Sequence, residues 1–544
     1  MFLRGAFCFV LVFHSSLGAI DPETMARGEK IYLEKCSMCH QVTGTGVATV
    51  YPPLAGSEWF IRDRARVIKA LCEGMSGPIE VAGKKFAGIM PAQVLDDGQV
   101  ADVLTYAARS WGNEAAPFAA KDIAKVRAET QFKTYADLLQ STAFQPLPPP
   151  PDGWTVRTAA ELPEFCTRLA TSGDGAPVYA LATTGNIYLL DRASGAVQPI
   201  IRAVDYLVNG TDDISALGFL CDAEERLWIV TNQRREDGDA FVQNEVIIYR
   251  TTSSENGHPA NPKPWFKVRY PFGVGPYNHG VGHLDIGSDG MLYVNSGSRT
   301  DGGEEGNDTR FSKDGETDIT ACVWRLDPKA DEPKIEVMAR GIRNAFGFAW
   351  DGEGRLFTVS NGPDANAPEE MDFIEPGRHY GFPFQFSNWP VKSQFPYPHT
   401  PPPPNGIDFA LPVENLGPAG GGSPAGLATF DAHSSPGGMI WCGEDFPEPL
   451  RHRFLITRFG NLLGPPATPK DVGFDVLSAK MNRRADGRWE ARVETVLAPL
   501  GRPLDVVRTG PGHALLLEYT RPTNFRDRLG WLPGRMIELA PAPR

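Results

Sequence analysis

Asp351-Gly352-Glu353-Gly354-Arg355-Leu356-Phe357-Thr358-Val359 is the stretch that decides the fold of most of this chain. Asp and Gly supply a tight turn, and a short apolar run rich in aromatic and β-branched residues follows at once. That sequence of events reads as turn then buried strand. The same unit recurs at Asp289-Gly290-Met291-Leu292-Tyr293-Val294 and at Arg226-Leu227-Trp228-Ile229-Val230, and further strands start near Val178, Phe454 and Leu515. The starts are mostly roughly 50–65 residues apart, with one longer gap from Leu356 to Phe454. A pair of β-sandwiches is the competing architecture. A recurring turn-plus-strand unit favours radial repetition, so a six-bladed β-propeller is predicted over residues 154–544.

Outward from the repeats the composition changes. Pro146-Leu147-Pro148-Pro149-Pro150-Pro151 reads as a stiff, extended linker, preceded by a charged, helix-prone stretch from Ala120 to Gln140. Residues 121–153 are therefore a helical segment and linker. The second proline run, Pro401–Pro404, falls in the long gap and reads as a loop inside the propeller.

Residues 20–120 form a smaller domain around Cys36-Ser37-Met38-Cys39-His40. Two thiols one helical turn apart can each bond one vinyl group of a porphyrin, and the adjacent imidazole then lies under the iron. The pattern predicts covalent haem c, with Cys36 and Cys39 as attachment points and His40 as an axial ligand. Half a zinc site is the alternative, but no second ligand pair follows nearby. Asp21-Pro22 caps a first helix. A second is expected over Gln99–Arg109, where Val100, Val103, Leu104 and Ala107 recur on one face and Asp96 or Asp97 caps. The sixth ligand should be a loop methionine. Met75 and Met90 compete, and Met90 is favoured by the turn between Gly88 and Pro91. The domain is predicted to be all-α.

Residues 1–19 read as a secretory signal: Arg4, an apolar run from Ala6 to Phe13, and the small residues Ser16 to Ala19. The run is too short to span a bilayer. Export with haem c implies a periplasmic or secreted, soluble mature chain. Beyond the haem pair and Cys8 of the signal, Cys72, Cys166, Cys221, Cys322 and Cys442 are odd in number and widely spaced, which favours buried free thiols. A net charge of −13 argues against nucleic acid or an anionic membrane as partner. The 57 Gly and 48 Pro suit a loop-rich β body.

Three clusters in the propeller carry chemistry. In Tyr277-Asn278-His279-Gly280-Val281-Gly282-His283, a neutral imidazole at a strand start can take a proton, with His279 and His283 in competition. In Gly341-Ile342-Arg343-Asn344, an Arg beside an Asn suits a planar anion. Asn361-Gly362-Pro363-Asp364, followed by Glu369-Glu370-Met371-Asp372, offers turn carbonyls and carboxylates to calcium, or is a solvated acidic loop.

Residues Gly28 to Trp111, with Cys36–His40, Pro52-Pro53-Leu54-Ala55-Gly56-Ser57, Met90-Pro91 and Ala101–Tyr106, resemble the class I cytochrome c domains joined to quinoprotein dehydrogenases. That resemblance implies His40 and Met90 as axial ligands. The propeller clusters, taken with Glu375-Pro376-Gly377-Arg378-His379-Tyr380-Gly381-Phe382-Pro383, resemble the glucose/sorbosone dehydrogenase family of six-bladed propellers using pyrroloquinoline quinone (PQQ) and calcium. It implies His279 as catalytic base, Arg343, Asn344 and Arg502 as cofactor contacts, and the carbonyls of Gly362 and Pro363 as calcium ligands. The sequence departs from that family at three places. Arg502-Pro503-Leu504-Asp505 lacks a second Arg. Ser298 stands near the position of the carboxylate that supports the histidine, with Asp301 as a shifted substitute. The lysine some members carry after Pro424-Ala425-Gly426-Leu427 is absent, and Asp431 stands near there. The resemblance implies an oxidoreductase that takes a sugar or other alcohol and sends electrons to the haem and then to another cytochrome or a terminal oxidase. A non-catalytic propeller that binds a glycan or protein is the alternative function, and a calcium-dependent lactonase is a third.

Overall fold

The structure, a computed structural model, describes residues 20–46, 51–75, 79–86, 90, 93, 95–130, 142–211, 213–238, 241–273, 279–303, 310–313, 315–363, 367–387, 389–390, 402–421, 428–461, 471–521 and 532–543. The expected signal at 1–19, and Gly88, Pro91, Asn278 and Asp364, lie outside the described residues. The chain divides into two compact units, one of residues 1–72, 80–86 and 93–132, the other of 73–79, 87–92 and 133–544.

In the first unit, helix α1 (Pro22–Lys35) starts where Asp21 accepts from the backbone of Glu23 and Thr24, with proline in the first turn. Helix α2 (Asp97–Arg109) starts in a capping box. The Asp96 carboxylate accepts from Gln99 N, and the Gln99 side chain accepts from Asp96 N. Gly28 lets the two helices touch: a Cβ there would stand 2.3 Å from the Asp102 carbonyl oxygen. Arg27 pairs with Asp102 at 2.7 Å on the rim of this contact. Tyr32, fully buried, packs on Trp111 at 4.8 Å and Tyr106 at 5.5 Å. A two-stranded sheet, Ile79–Val81 with Lys84–Phe86, is the β structure the all-α expectation did not include.

The second unit holds six sheets of three to five strands. Blade 1 spans Cys166–Ala170 to Val197–Ile201, blade 2 Ile214–Cys221 to His258–Pro271, and blade 3 Val281–Ile286 to Glu336–Arg340. Blade 4 is the three strands from Gly347–Trp350 to Glu370–Phe373. Blade 5 spans Pro436–Cys442 to Trp489–Leu497 and gains a parallel edge strand, Glu414–Pro418, from the long gap. Blade 6 takes Pro503–Gly510, His513–Thr520 and Pro533–Pro541 from one end of the chain and Trp154–Glu161 from the other. The ring therefore closes through antiparallel pairing of Pro533–Pro541 with Trp154–Glu161. All six strand starts read from the sequence are second strands of blades.

Period-two alternation explains why those strands read as unbroken apolar runs. In Leu227–Arg235, Leu227 and Ile229 face the core between blades 1 and 2, whereas Trp228 and Val230 face the core between blades 2 and 3. Each gap between neighbouring blades holds one such cluster. Each fully buried Leu, Ile, Val or Phe in them contributes about 1.5–3 kcal/mol. Cys166, Cys221, Cys322 and Cys442 are buried, unbridged thiols within these layers, as is Cys72 in the first unit. The proline run is extended and seated on blade 6. Gln145 N donates to the Arg521 carbonyl at 3.1 Å, the Phe144 ring lies under the Arg521 and Arg535 guanidinium groups, and Leu147 packs against the core between blades 5 and 6.

Candidate functional site

The haem-binding motif occupies the end of α1. Cys36 closes that helix, and Ser37–His40 forms one further turn. Cys36 is buried and Cys39 half-buried, and neither is in a disulfide. Burial raises the Cys36 thiol to about 12, with a smaller push from Cys39. His40 is buried with Nδ1 2.9 Å from the Pro52 carbonyl oxygen. A carbonyl only accepts, so Nδ1 carries the proton and Nε2 keeps its lone pair for a metal. Burial holds the ring below its ordinary pKa, opposed only by that hydrogen bond, so it is neutral at pH 7. This donor set fits a covalently held haem. Met75 and Met90 pair through reciprocal backbone hydrogen bonds of 2.8 Å.

In the propeller, Arg168 is the hub. Fully buried on the innermost strand of blade 1, it donates from Nε to the Leu217 carbonyl at 2.9 Å and from Nη2 to the Phe346 carbonyl at 2.5 Å. Its Nη1 reaches the Asp505 carboxylate at 3.4 Å, and Asp505 also accepts from Leu169 N at 2.8 Å. One guanidinium thus joins blades 1, 2 and 6 to the strand entry of blade 4.

His279 precedes the innermost strand of blade 3 and is half-buried. Its backbone N–H donates to the Ser298 carbonyl at 3.0 Å, and its Nδ1 lies 3.2 Å from the same oxygen and 3.1 Å from Ser298 Oγ. Burial, and then the Arg343 charge, lower the imidazole to about 3. His283, its competitor in the sequence, turns edge-on to Phe348 at 4.3 Å. Gly297 lies beneath His279: a Cβ there would meet His279 Cβ at 2.5 Å and Asn344 Oδ1 at 3.1 Å.

Arg343 is buried beside this group. It donates from Nε to the Asp301 carbonyl at 2.8 Å, from Nη2 to Asp301 Oδ1 at 2.5 Å, and from Nη1 to the Asn361 carbonyl at 3.0 Å. Asp301 therefore does not substitute for a carboxylate on His279; the buried guanidinium takes it, and Ser298 takes the histidine. Ser298 N donates to the Arg343 carbonyl at 2.8 Å, and Asn344 Nδ2 to Asn361 Oδ1 at 3.1 Å. Gly362 and Pro363 follow Asn361 directly, and their carbonyls accept no hydrogen bond from a described residue. Two carbonyls that accept from no described residue suit a hard cation such as calcium. Three of the five Arg343 N–H groups are used, and the other two suit an anionic cofactor. Among the described residues no three His, Cys, Asp or Glu side chains converge on a metal position.

The structure brings His279, Arg343, Asn344 and the Gly362-Pro363 turn together. Arg502 stands farther round the ring. It is buried between the Phe459 and Phe474 rings, each 4.8 Å away, and Nη2 donates to the Asn461 carbonyl at 3.1 Å. Burial lowers it to about 9. Its backbone is left-handed (φ 56°), a conformation that costs an arginine about 1–3 kcal/mol and so needs its surroundings to hold it. Glu369, which the motif reading placed only in an acidic run, is buried. It accepts from Ser434 Oγ at 3.2 Å, feels Arg458 and Arg343, and is raised to about 8 by burial. Asp431 lies 3.5 Å from Arg458.

A Cytochrome c family model matches residues 25–111, which contain Cys36, Cys39, His40 and Met90. A Glucose / Sorbosone dehydrogenase model matches residues 214–437, which contain His279, Arg343, Asn344, Gly362 and Pro363 but not Arg502. Cytochrome c-552 of Thermus thermophilus is 38% identical over 114 residues, 19% of this chain and 86% of that protein. The cytochrome c subunit of the quinone alcohol dehydrogenase of Gluconobacter oxydans is 33% identical over 126 residues, 21% of this chain and 26% of that protein. Among solved structures, the PQQ-bound aldose sugar dehydrogenase of Streptomyces coelicolor is 18% identical with a TM-score of 0.47, covering 72% of this chain and 99% of that one.

Proposed function

We propose, for a chain that belongs to the cytochrome c family at its N-terminus and carries a glucose/sorbosone dehydrogenase propeller, that it is an oxidoreductase passing electrons from a sugar or other alcohol to covalently bound haem c. The observation that carries the reading is His279, whose Nδ1 lies against two Ser298 oxygens and whose Nε2 accepts nothing from a described residue, set beside Arg343, Asn344 and a turn whose two carbonyls accept from no described residue.

In this reading Nε2 of His279 takes the hydroxyl proton as hydride leaves the carbon that bears the hydroxyl. Bound at this site with calcium, PQQ would supply the two-electron acceptor for that hydride. Arg343, Asn344 and Arg502 would hold its acidic groups, and the Gly362 and Pro363 carbonyls would hold the calcium. The ion pair with Asp301 keeps Arg343 rigid, so its remaining N–H donors need no reorganisation. Cys36 and Cys39 would anchor the haem, and Nε2 of His40 and the thioether of Met90 would take the iron. The signal at 1–19 would send the chain to the periplasm, where another cytochrome or a terminal oxidase is the acceptor. Among the described residues no helix is long and apolar enough to cross a membrane.

The Asp301 carboxylate, which offsets the Arg343 charge, favours a second reading, a propeller that binds a glycan or protein without catalysis. One experiment separates the two. Purified protein is given PQQ, calcium and a panel of aldoses and alcohols while haem absorbance is followed. Haem reduction that needs the quinone and is lost in His279→Gln supports the enzyme. No reduction with any substrate, together with no quinone binding, supports the binding module.

A further inference from the structure

Ser298 occupies the place beside His279 where a charged partner was expected, and its own bonds fix what it does there. Its hydroxyl donates to the Thr300 carbonyl at 2.8 Å, and that oxygen only accepts. With its single proton committed, Oγ presents a lone pair to His279 Nδ1 at 3.1 Å. The other neighbour of Nδ1, the Ser298 carbonyl at 3.2 Å, is also only an acceptor and already receives the His279 backbone N–H. Two acceptors converge on Nδ1, so the ring proton must lie there and the lone pair on Nε2. The backbone carbonyl, shared between two donors, leaves Oγ as the partner dedicated to the ring.

We propose that Ser298 is a positioning residue that holds His279 in the Nδ1–H tautomer and does so without charge. The inference rests on the reading of His279 as proton acceptor. A carboxylate in this place would fix the same tautomer but also stabilise the imidazolium. The hydroxyl does only the first. Among the described residues the charged group that acts on the ring is Arg343, whose guanidinium holds the Asp301 carboxylate; the neutral amide of Asn344 lies near His279 Cβ across Gly297. Only the hydrogen bond to the Ser298 carbonyl favours a charged ring, and burial and the Arg343 charge outweigh it, so His279 remains neutral, with Nε2 ready, well into the acid range.

The test uses the full-length, haem-loaded protein with 15N-labelled histidine rings, His279 being identified by the signal lost in His279→Gln. The expected spectrum has the proton on Nδ1. Ser298→Ala should shift the ring toward the Nε2–H form and slow substrate-driven haem reduction about tenfold, the share of one neutral hydrogen bond. Ser298→Thr should keep both the tautomer and the rate. Ser298→Asp should keep the tautomer but raise the ring pKa by about one unit or more, adding an acid limb to the rate profile. A wild-type ring protonated on Nε2, or a Ser298→Ala ring unchanged from wild type, overturns the proposal. Should Ser298→Ala fail to fold, Ser298→Asp decides: an unmoved ring pKa overturns it. The tautomer is read without substrate, so the expected spectra in a protein that oxidises nothing support the role of Ser298 and refute only the enzyme reading.

Discussion

Gly297→Ala is the sharpest perturbation of the propeller site, because it adds one methyl group and changes no charge. The added Cβ would stand 2.5 Å from His279 Cβ, 2.9 Å from the Gly280 carbonyl oxygen and 3.1 Å from Asn344 Oδ1. Carbon atoms rest about 3.5–4.0 Å apart, so the contact with His279 is short by about 1 Å. The backbone of Gly297 is not left-handed, so the methyl group, not the main chain, is the source of strain. Two of the three clashing groups are side chains assigned to the chemistry, and relief requires them to move. A displacement of about 1 Å at a reacting centre costs about 100-fold in rate. Overpacking a site of this kind costs only about 1–3 kcal/mol of stability, which in a ring of this size lowers Tm by a few degrees. Stopped-flow haem reduction and a thermal melt measure the two effects side by side. Gly315→Ala, on the same blade with nothing within 4 Å of the new Cβ, is the control and should leave both unchanged. A Gly297→Ala protein that reduces its haem at the wild-type rate would falsify the placement of His279 in the reaction.

Other outcomes follow from the same geometry. Glu518→Ala should cost about 3–5 kcal/mol in denaturant unfolding, since it strips the buried Arg535 guanidinium of its 2.6 Å partner across the closing blade; a change below about 1 kcal/mol would mean the pair contributes little to closure. Glu369, raised to about 8 by burial, binds a proton in the folded state that it loses at about pH 4 in the unfolded chain. Its contribution to stability is therefore full below pH 4 and declines toward pH 8, by on the order of 1 kcal/mol per pH unit, and Glu369→Gln should flatten that slope; a slope equal to wild type in the variant would contradict the buried, neutral carboxyl. Met90→Ala should abolish the methionine-to-iron charge-transfer band while Met75→Ala keeps it, and the reverse pattern would exchange the two ligands.

The six second strands were legible because each is buried on both faces, and Leu-Trp-Ile-Val at 227–230 or Leu-Phe-Thr-Val at 356–359 shows that in composition alone. The outer edges were not. Trp154–Glu161 is half polar, and its partner lies at the far end of the chain, so no local pattern announces the pairing. Glu414–Pro418 has no fully buried residue and runs parallel to its neighbour, and it hid in a loop-like gap for the same reason. At the site, His279, Arg343, Asn344 and the Gly362-Pro363 turn were readable from local motifs. The partition of Ser298 to the histidine and Asp301 to the arginine was not, because it depends on which buried charge needs compensation. Glu369 carried only one signal, a carboxylate next to a strand start, and that is common on any surface.

The seam of blade 6 also bears on the order in which this protein is made. Strand Trp154–Glu161 emerges early, yet among the described residues its one sheet neighbour is Pro533–Pro541, nearly 400 residues on. Until then its edge stands open, the situation in which half-made β proteins pair with one another. The strand's own composition answers this hazard: Thr155, Arg157, Thr158 and Glu161 remain exposed even in the closed ring, so little apolar surface is offered while it waits. Loss of those final residues would therefore not shorten the ring but open it, and five finished blades would be left without the strand that makes them one body.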